Sequence, residues 1–445
     1  MSTREMKDSG IEWIGQIPKG WKVQRMKSIF RRRNEINKPV LSEERLSLSI
    51  DVGITKYSEK TTNLDRFKED LTKYQLAYPK DIVLNSMNMI VGAVGISKYF
   101  GCVSPVYYVI TALNDNDAKF YSYLLNTTSI REVYHSLGRG IYAIERGDGR
   151  VNTCRLKVPF FDFASINIPV PEPSEQRRIA TFLDEKCKDI DTLIILQEQM
   201  IAELQAYKQS VISEAVTKGL NPNVRMKDSG VEWIGEIPEH WSVIRLRHLG
   251  NLQNGISKGG DYFGEGYPFL NYGDAYQNMF LKEPLSGLAK SNEEDQNTYS
   301  VKEGDVFFTR TSETVEEIGF SSVCLKTIDK AIFSGFLIRF RPSTSDLNSK
   351  FSGYYFRSNI HRRYFVKEMN LVTRASLGQN LLKNLPVILP PLSEQQAIAD
   401  YLDTKCSQID ELITLKQQKI TELQDYKKSL IYEYVTGKKE VPANN

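Results

Sequence analysis

The chain repeats itself, and that repeat limits the architectures it can adopt. Residues 6–18 read MKDSGIEWIGQIP and residues 226–238 read MKDSGVEWIGEIP, an offset of 220. Trp21 and Trp241 keep the offset, so all four tryptophans lie in the two copies of this opening motif. A second block recurs at an offset of 219: Ser174-Glu-Gln-Arg-Arg-Ile-Ala-Thr-Phe-Leu-Asp-Glu-Lys-Cys187 against Ser393-Glu-Gln-Gln-Ala-Ile-Ala-Asp-Tyr-Leu-Asp-Thr-Lys-Cys406. Proline-rich exit strands, 166–173 and 385–391, precede the two blocks. Between the blocks only a skeleton survives. Lys80-Asp-Ile-Val-Leu84 matches Gly304-Asp-Val-Phe-Phe308, and Val94-Gly-Ile-Ser97 matches Ile318-Gly-Phe-Ser321, both at an offset of 224. Self-similarity at this scale means one structural unit used twice, with its interior free to diverge.

Within each half, residues 103–110 and 333–340 are rich in Val, Ile, Tyr and Phe between Gly and Asn, and read as strands. Aromatic-rich stretches at 119–137 and 350–369 read as helical. The order is opening motif, variable domain, long helix, then the same again. The predicted fold class is α/β (mixed α+β), with two pseudo-two-fold-related variable domains separated by two long helices that form an antiparallel coiled coil. The predicted segments are a first domain at 1–173, a central helix at 174–218, a second domain at 219–392, a C-terminal helix at 393–437 and a tail at 438–445.

The repeated helices carry a seven-residue apolar period. Leu183, Ile190, Leu204 and Val211 share one phase, and Cys187, Ile194, Ile201 and Ala215 a second, four residues on. In the other helix Leu402, Ile409, Leu423 and Leu430 hold the first phase, with Cys406, Ile413 and Ile420 in the second. Such a period over about five heptads indicates a coiled coil rather than one amphipathic helix. Each helix spans roughly 44 residues, or about 66 Å. Since both belong to one chain, their simplest partners are each other, in an antiparallel pair. Gln197 and Lys416, and Lys208 and Lys427, are polar residues in the stripe that can set register. Ser174 and Ser393 read as N-caps, and Ser393 with Gln396 as a capping box.

Composition excludes several classes. Charged residues are 25% and hydrophobic residues 41%, ordinary for a folded chain, and 445 residues predict two to four domains. A net charge of +3 is too small to name a nucleic-acid partner by itself. No apolar run approaches the ~20 residues of a membrane span, and no apolar segment follows the first charges, which predicts a cytoplasmic chain without membrane contact. The five cysteines show no Cys-x-x-Cys spacing and the four histidines are scattered, which argues against a disulfide framework or a metal site.

Taken together, the GIEWIG and GVEWIG openings, the proline exits before Ser-Glu-Gln, the Tyr207-Lys208 and Tyr426-Lys427 helix ends and the run Gly304-Asp-Val-Phe-Phe-Thr-Arg-Thr-Ser-Glu313 resemble the specificity subunit of type I restriction-modification systems. The resemblance covers essentially the whole chain. It implies two target recognition domains, each reading one half of a bipartite site in double-stranded DNA, with the helices as spacer and docking surface. It implies two modification subunits that bind S-adenosylmethionine and methylate adenine, and restriction subunits that can join and use ATP and magnesium. No catalytic residue, metal or cofactor is expected on this chain. The rival reading is a coiled-coil adaptor that binds proteins without reading DNA.

The residues themselves agree that catalysis is absent. Gly138-Arg-Gly-Ile-Tyr-Ala143 fits a dinucleotide fingerprint but follows a helical stretch instead of a strand. Asp184-Glu-Lys186 and Asp403-Thr-Lys405 resemble half of a nuclease motif but sit amid the heptad core. For DNA, phosphate contacts supply affinity and base edges supply discrimination. Arg31, Arg32 and Arg33 form a dense basic run; Arg139, Tyr142, Arg146, Arg150 and Asn152 lie in a Gly-punctuated loop of the first domain. Thr373, Arg374, Ser376, Gln379 and Asn380 occupy the corresponding place in the second. Asn85 and Asn88, and Arg310, Thr311 and Ser312, end aligned strands, and Lys258 sits in a glycine-flanked loop. The expected coil and docking positions are Leu183, Ile190, Ile194, Ile201, Leu204, Val211, Leu402, Ile409, Ile413, Ile420, Leu423 and Leu430.

Overall fold

A computed structural model describes residues 4–50, 52–60, 70–141, 155–312, 318–361, 363–365 and 375–442. The chain divides into two compact units, Met1–Gln197 with Gln418–Asn445, and Glu198–Gln417. Each holds one variable domain and a piece of each long helix.

The two units share a topology that their sequences barely show. In the first, a four-stranded antiparallel sheet runs Phe30–Arg32, Tyr107–Ala112, Ile82–Asn85, Val94–Ile96. In the second, the order is Gly250–Asn254, Leu337–Pro342, Val306–Thr309, Ser321–Val323. The central strands are buried on both faces, which is why they read as unbroken apolar runs. Ile82, Leu84, Tyr108 and Ile110 face one core, while Val83 and Val109 face another. Val306 and Phe308 divide from Phe307 in the same way. The preceding turn is also shared: Lys80 and Gly304 both have positive φ, at 73° and 84°.

The opening motif forms a hairpin in each copy, Met6–Ile11 with Gly15–Pro18 and Met226–Asp228 with Glu236–Pro238. The strand after each hairpin pairs antiparallel with the exit strand: Lys22–Arg25 with Asn167–Val170, and Ser242–Arg245 with Pro386–Leu389. Thus the strand after the hairpin and the exit strand of each domain close on one another before the chain enters a long helix.

Two expected elements are subdivided. The run 103–110 breaks at Ser104-Pro105 into Gly101–Val103 and Tyr107–Ala112, which join different sheets. Likewise 333–340 turns at Ser334-Gly335 between Ile328–Phe333 and Leu337–Pro342. The stretch 119–137 is two helices, Ala118–Leu124 and Thr128–Leu137, split where Thr127 restarts the chain from extended backbone. The domains also carry different additions. The first has the hairpin Leu46–Ser49 with Gly53–Lys56. The second has a mixed sheet in which Phe263–Leu270 runs parallel to Ile328–Phe333.

The long helices are Pro173–Lys218 and Leu392–Val435. Both start one residue before the serines expected to cap them. Gln396, expected in a capping box, bonds to Asn348 and Asp400 instead. Within each unit the helix pieces run antiparallel. In the first, Phe182 packs on Tyr434 and Lys427 bonds Asp191 at 2.6 Å. In the second, Lys208 bonds Asp410 at 2.7 Å. Leu183, Ile190, Val211, Leu402, Ile409 and Leu430 are buried, while Ile194, Ile201, Leu204, Ile413, Ile420 and Leu423 are half-buried. Each helix thus buries a seam flanked by charge, as a two-stranded coil requires.

Candidate nucleic-acid interface

The repeated Ser-Glu-Gln motif locks each domain to its long helix. Trp21 and Trp241 donate their indole N–H to Glu175 and Glu394, at 2.9 and 3.0 Å. The next residue, Gln176 or Gln395, is fully buried. Its carbonyl accepts the backbone N–H of Asp117 or Asn348, at 2.7 and 2.8 Å, and its amide donates to the carbonyl of Pro171 or Pro390. Asp184 accepts from Tyr123 and pairs with Lys119; Asp403 accepts from Tyr354 and pairs with Lys350. Burial above all, with these carboxylates and, for Tyr123, the neighbouring Cys187 adding to it, raises the Tyr123 and Tyr354 phenols well above their usual range. The acidic pair that resembles part of a nuclease motif is therefore a clamp between domain and helix. Among the described residues no group of three His, Cys, Asp or Glu could hold a metal ion. Gly138 ends the helix Thr128–Leu137 and leads into the strand Arg139–Ile141, the reverse of a dinucleotide loop.

These locks present one edge of each domain, built on a common knuckle. In the first, Ser86 closes the central strand. Its hydroxyl donates to the Val106 carbonyl at 2.7 Å, and its own carbonyl accepts the N–H of Val158 at 3.0 Å. In the second, Arg310 stands at the same place. Its N–H donates to the Phe336 carbonyl at 2.9 Å, and its carbonyl accepts the N–H of Leu377 at 2.7 Å. Strand end, turn and exit segment are pinned together in both, while the side chains differ.

On the second knuckle several candidates meet. Thr311–Ser312 pairs with Ala375–Ser376. The Gly335 N–H donates to the Ile256 carbonyl at 2.8 Å, which draws Ser257 and Lys258 to the same edge. A Cβ on Gly335 would lie 2.2 Å from the Ser257 hydroxyl, so that approach needs glycine. Lys258 is exposed and lies 5.8 Å from the Tyr262 ring. The Arg310 guanidinium makes no hydrogen bond or ion pair among the described residues. Gln379, half-buried, and exposed Asn380 open the short helix Gln379–Lys383. Phe336, 62% exposed at the turn, is an unforeseen member. Its signal in the sequence is only the Ser-Gly-Phe turn. Thr373 and Arg374 lie outside the described residues.

The first knuckle is more basic. The run Arg31, Arg32 and Arg33 is not a single surface. Arg31 is exposed. Arg33 turns inward and grips Asp81 through two bonds of 2.7 and 3.1 Å, which raises its pKa further, so it is a strut and not a free phosphate contact. Arg32 lies between them against Tyr108 and Phe160, its guanidinium carbon 5.1 and 4.9 Å from the ring centroids. Arg139 is exposed and bonds Asp162 at 2.7 Å. Lys157 joins this cluster, although no motif or spacing in the sequence singles it out. Asn85 is nearly buried and accepts the N–H of Met87, while Asn88 is exposed. Tyr142, Arg146, Arg150 and Asn152 lie outside the described residues.

A repeated lock, two knuckles with one backbone and different side chains, and paired long helices define a scaffold for presenting two recognition surfaces. The family model described as type I restriction modification DNA specificity domain matches this chain twice, at residues 18–206 and 238–425. The chain belongs to that family. It is 26% identical over 455 residues to the putative type I restriction enzyme MjaX specificity subunit of Methanocaldococcus jannaschii, covering 96% of this chain and 95% of the relative. It is 25% identical over 406 residues to the EcoKI specificity subunit of Escherichia coli, covering 86% and 82%. Among solved structures, the HsdS subunit from Thermoanaerobacter tengcongensis shares the fold with a TM-score of 0.53, 16% identity, and coverage of 95% of this chain and 98% of that one. A chain from a study of complex assembly and conformational transition in a type I R-M system gives 0.69 at 16% identity, covering 95% and 99%.

Proposed function

We propose that this chain is the noncatalytic sequence-reading subunit of a type I restriction-modification complex, each domain reading one half of a bipartite site in double-stranded DNA. The observation that carries this is the shared knuckle with unshared side chains. The carbonyls of Ser86 and Arg310 make equivalent backbone contacts, but the first knuckle carries a buried hydroxyl tied to Val106 and the second a guanidinium with no hydrogen bond or ion pair among the described residues. Arginine reads guanine through two hydrogen bonds, and a correct pair is worth about 1–3 kcal/mol of discrimination. A scaffold that varies its polar edge while keeping its frame suits recognition of two different sequences.

In this reading the long helices set the spacer and dock two modification subunits, which bring S-adenosylmethionine and the adenine-methylating residues. Leu193 and Leu196 support docking: they are exposed apolar residues at i and i+3 on one helix. Leu412 and Leu415 repeat the feature on the other. Restriction subunits with ATP and magnesium can join the assembly. The complex acts in the cytoplasm, where its DNA is; no described helix is long and apolar enough to cross a membrane.

The test is to map methylated adenines in a methylation-free host that expresses this chain with its modification subunit, omitting each in turn. One bipartite motif, present only with both chains, is the expected outcome. A stable complex with an active modification subunit but no motif would move the assignment to a protein-binding adaptor. Methylation by this chain alone would overturn its noncatalytic role.

A further inference from the structure

We propose that the first domain contains a phosphate pocket, formed by Arg32, Arg139 and Lys157 around Tyr108 and Phe160, that grips one backbone phosphodiester of duplex DNA. This rests on the DNA-reading function above and adds a contact within it. The five residues, with Pro159, line an open pocket of about 390 Å³.

Among the described residues its charge is only partly compensated. Three cations face it, and the one carboxylate paired with any of them is Asp162, bonded to Arg139 at 2.7 Å. Arg32 has no ion pair among the described residues, and its Nε is buried without a hydrogen-bond partner. A guanidinium normally loses much of its freedom only to gain a carboxylate or phosphate. Here two aromatic rings hold it in place instead, so its orientation is settled before any anion arrives. The rings' contact with Arg32 also decides the ligand class. Their faces are engaged by the guanidinium, so the pocket offers N–H donors and positive charge, not a stacking platform for a base.

The pocket is continuous with the knuckle. Tyr108 donates its hydroxyl to the Val158 carbonyl at 2.8 Å, and the Val158 N–H binds Ser86. A phosphate held there would lie next to the bases met by that edge. The second domain does not repeat the pocket among its described residues. Arg32 sits opposite Ile110 as Leu252 sits opposite Phe340, so leucine replaces the arginine; by the same register Ile338 replaces Tyr108. A scaffold contact would have been retained in both copies, as Asp81 and Asp305 are.

The experiment uses the full chain in complex with its modification subunits, one duplex carrying the methylated motif and one scrambled duplex, and measures affinity across salt concentrations. Lys157→Gln and Arg32→Gln should each lower the slope of log K against log salt by about 0.9, or about eightfold in affinity at ~0.1 M salt, on both duplexes alike. Lys119→Gln, whose lysine bonds Asp184 on the long helix, should keep the parental slope. Lys157 is exposed, so its variant remains informative if Arg32→Gln fails to fold. A parental slope in the Lys157 variant, or an altered motif at one base without a change in slope, overturns the pocket. Failure of the unmodified complex to bind either duplex overturns the DNA-reading function itself, a distinct result.

Discussion

Arg33 and Asp81 form a two-point ion pair that the second domain rebuilds from a different strand of the same sheet. Asp81 and Asp305 occupy equivalent positions after the same positive-φ turn, and each also accepts a backbone N–H, from Tyr78 and Lys302, at 2.9 and 2.7 Å. In the first domain the guanidinium comes from Arg33 and the third partner is Thr111. In the second it comes from Arg341, at 2.6 Å, the counterpart of Thr111, while Gln253 stands where Arg33 would be. The buried carboxylate demands a cation but does not specify the neighbouring strand that supplies it.

This exchange can be reproduced. Arg33→Gln leaves a nearly buried carboxylate without its cation and should destabilise the first unit by about 2–3 kcal/mol, below the value for fully buried pairs because Arg33 is partly exposed. Adding Thr111→Arg, the second domain's solution, should recover more than half of the loss. Hydrogen exchange of Tyr107–Ala112 reads this locally. No recovery in the double variant would mean that the two sites are not interchangeable.

Gly219 and Gly437 follow the two long helices with φ of 73° and 72°. Alanine at either meets the left-handed penalty of roughly 1–2 kcal/mol. They differ in room: a Cβ on Gly437 would lie 2.4 Å from Pro18, whereas on Gly219 its nearest neighbour is Trp241 at 3.1 Å. Gly437→Ala should therefore lower thermal stability more than Gly219→Ala, by about 1–3 kcal/mol. Equal losses in calorimetry would show that packing against the opening motif does not matter.

The helices give a geometric prediction. Adding one heptad between Leu204 and Lys218, with a matching heptad in the second helix, lengthens the pair by about 10 Å. At ~3.4 Å per base pair the spacer of the methylated motif should grow by about three base pairs. Both half-sites should stay unchanged. An unaltered spacer in methylation mapping would rule out the ruler.

The four described cysteines are buried and unpaired. Burial pushes the Cys187 thiol up to about 11 and the Cys324 thiol up to about 12, with Cys102 and Cys406 also raised. At pH 8 the folded chain should protect all four from a thiol reagent, and denaturant should expose them. The folded thiol of Cys187 keeps its proton above the ordinary value of 9, so its contribution to stability falls as pH rises from about 9 to 11. Fast labelling of Cys187 in the native chain at pH 8 would contradict its burial.

The duplication, the paired helices and the strands around Asp81 and Asp305 were all legible as residues in order. They depend on patterns the chain carries locally: a period of seven buries one helix seam, and an unbroken apolar run suits a strand covered on both faces. The same local reading located Lys258, Arg310 and Ser376 as candidates, but not their convergence on one knuckle. It also grouped Arg31, Arg32 and Arg33, because adjacency in sequence says nothing about partners. Alternation along the strand separates Arg32 from its two neighbours, and a buried carboxylate beside Arg33 then separates Arg33 from Arg31. Tertiary structure decided that Arg33 would meet Asp81, that Arg32 would rest against Tyr108 and Phe160, and that Lys157 would join them. A side chain's charge is set by its identity, but whether that charge is free depends on residues brought beside it from distant parts of the chain.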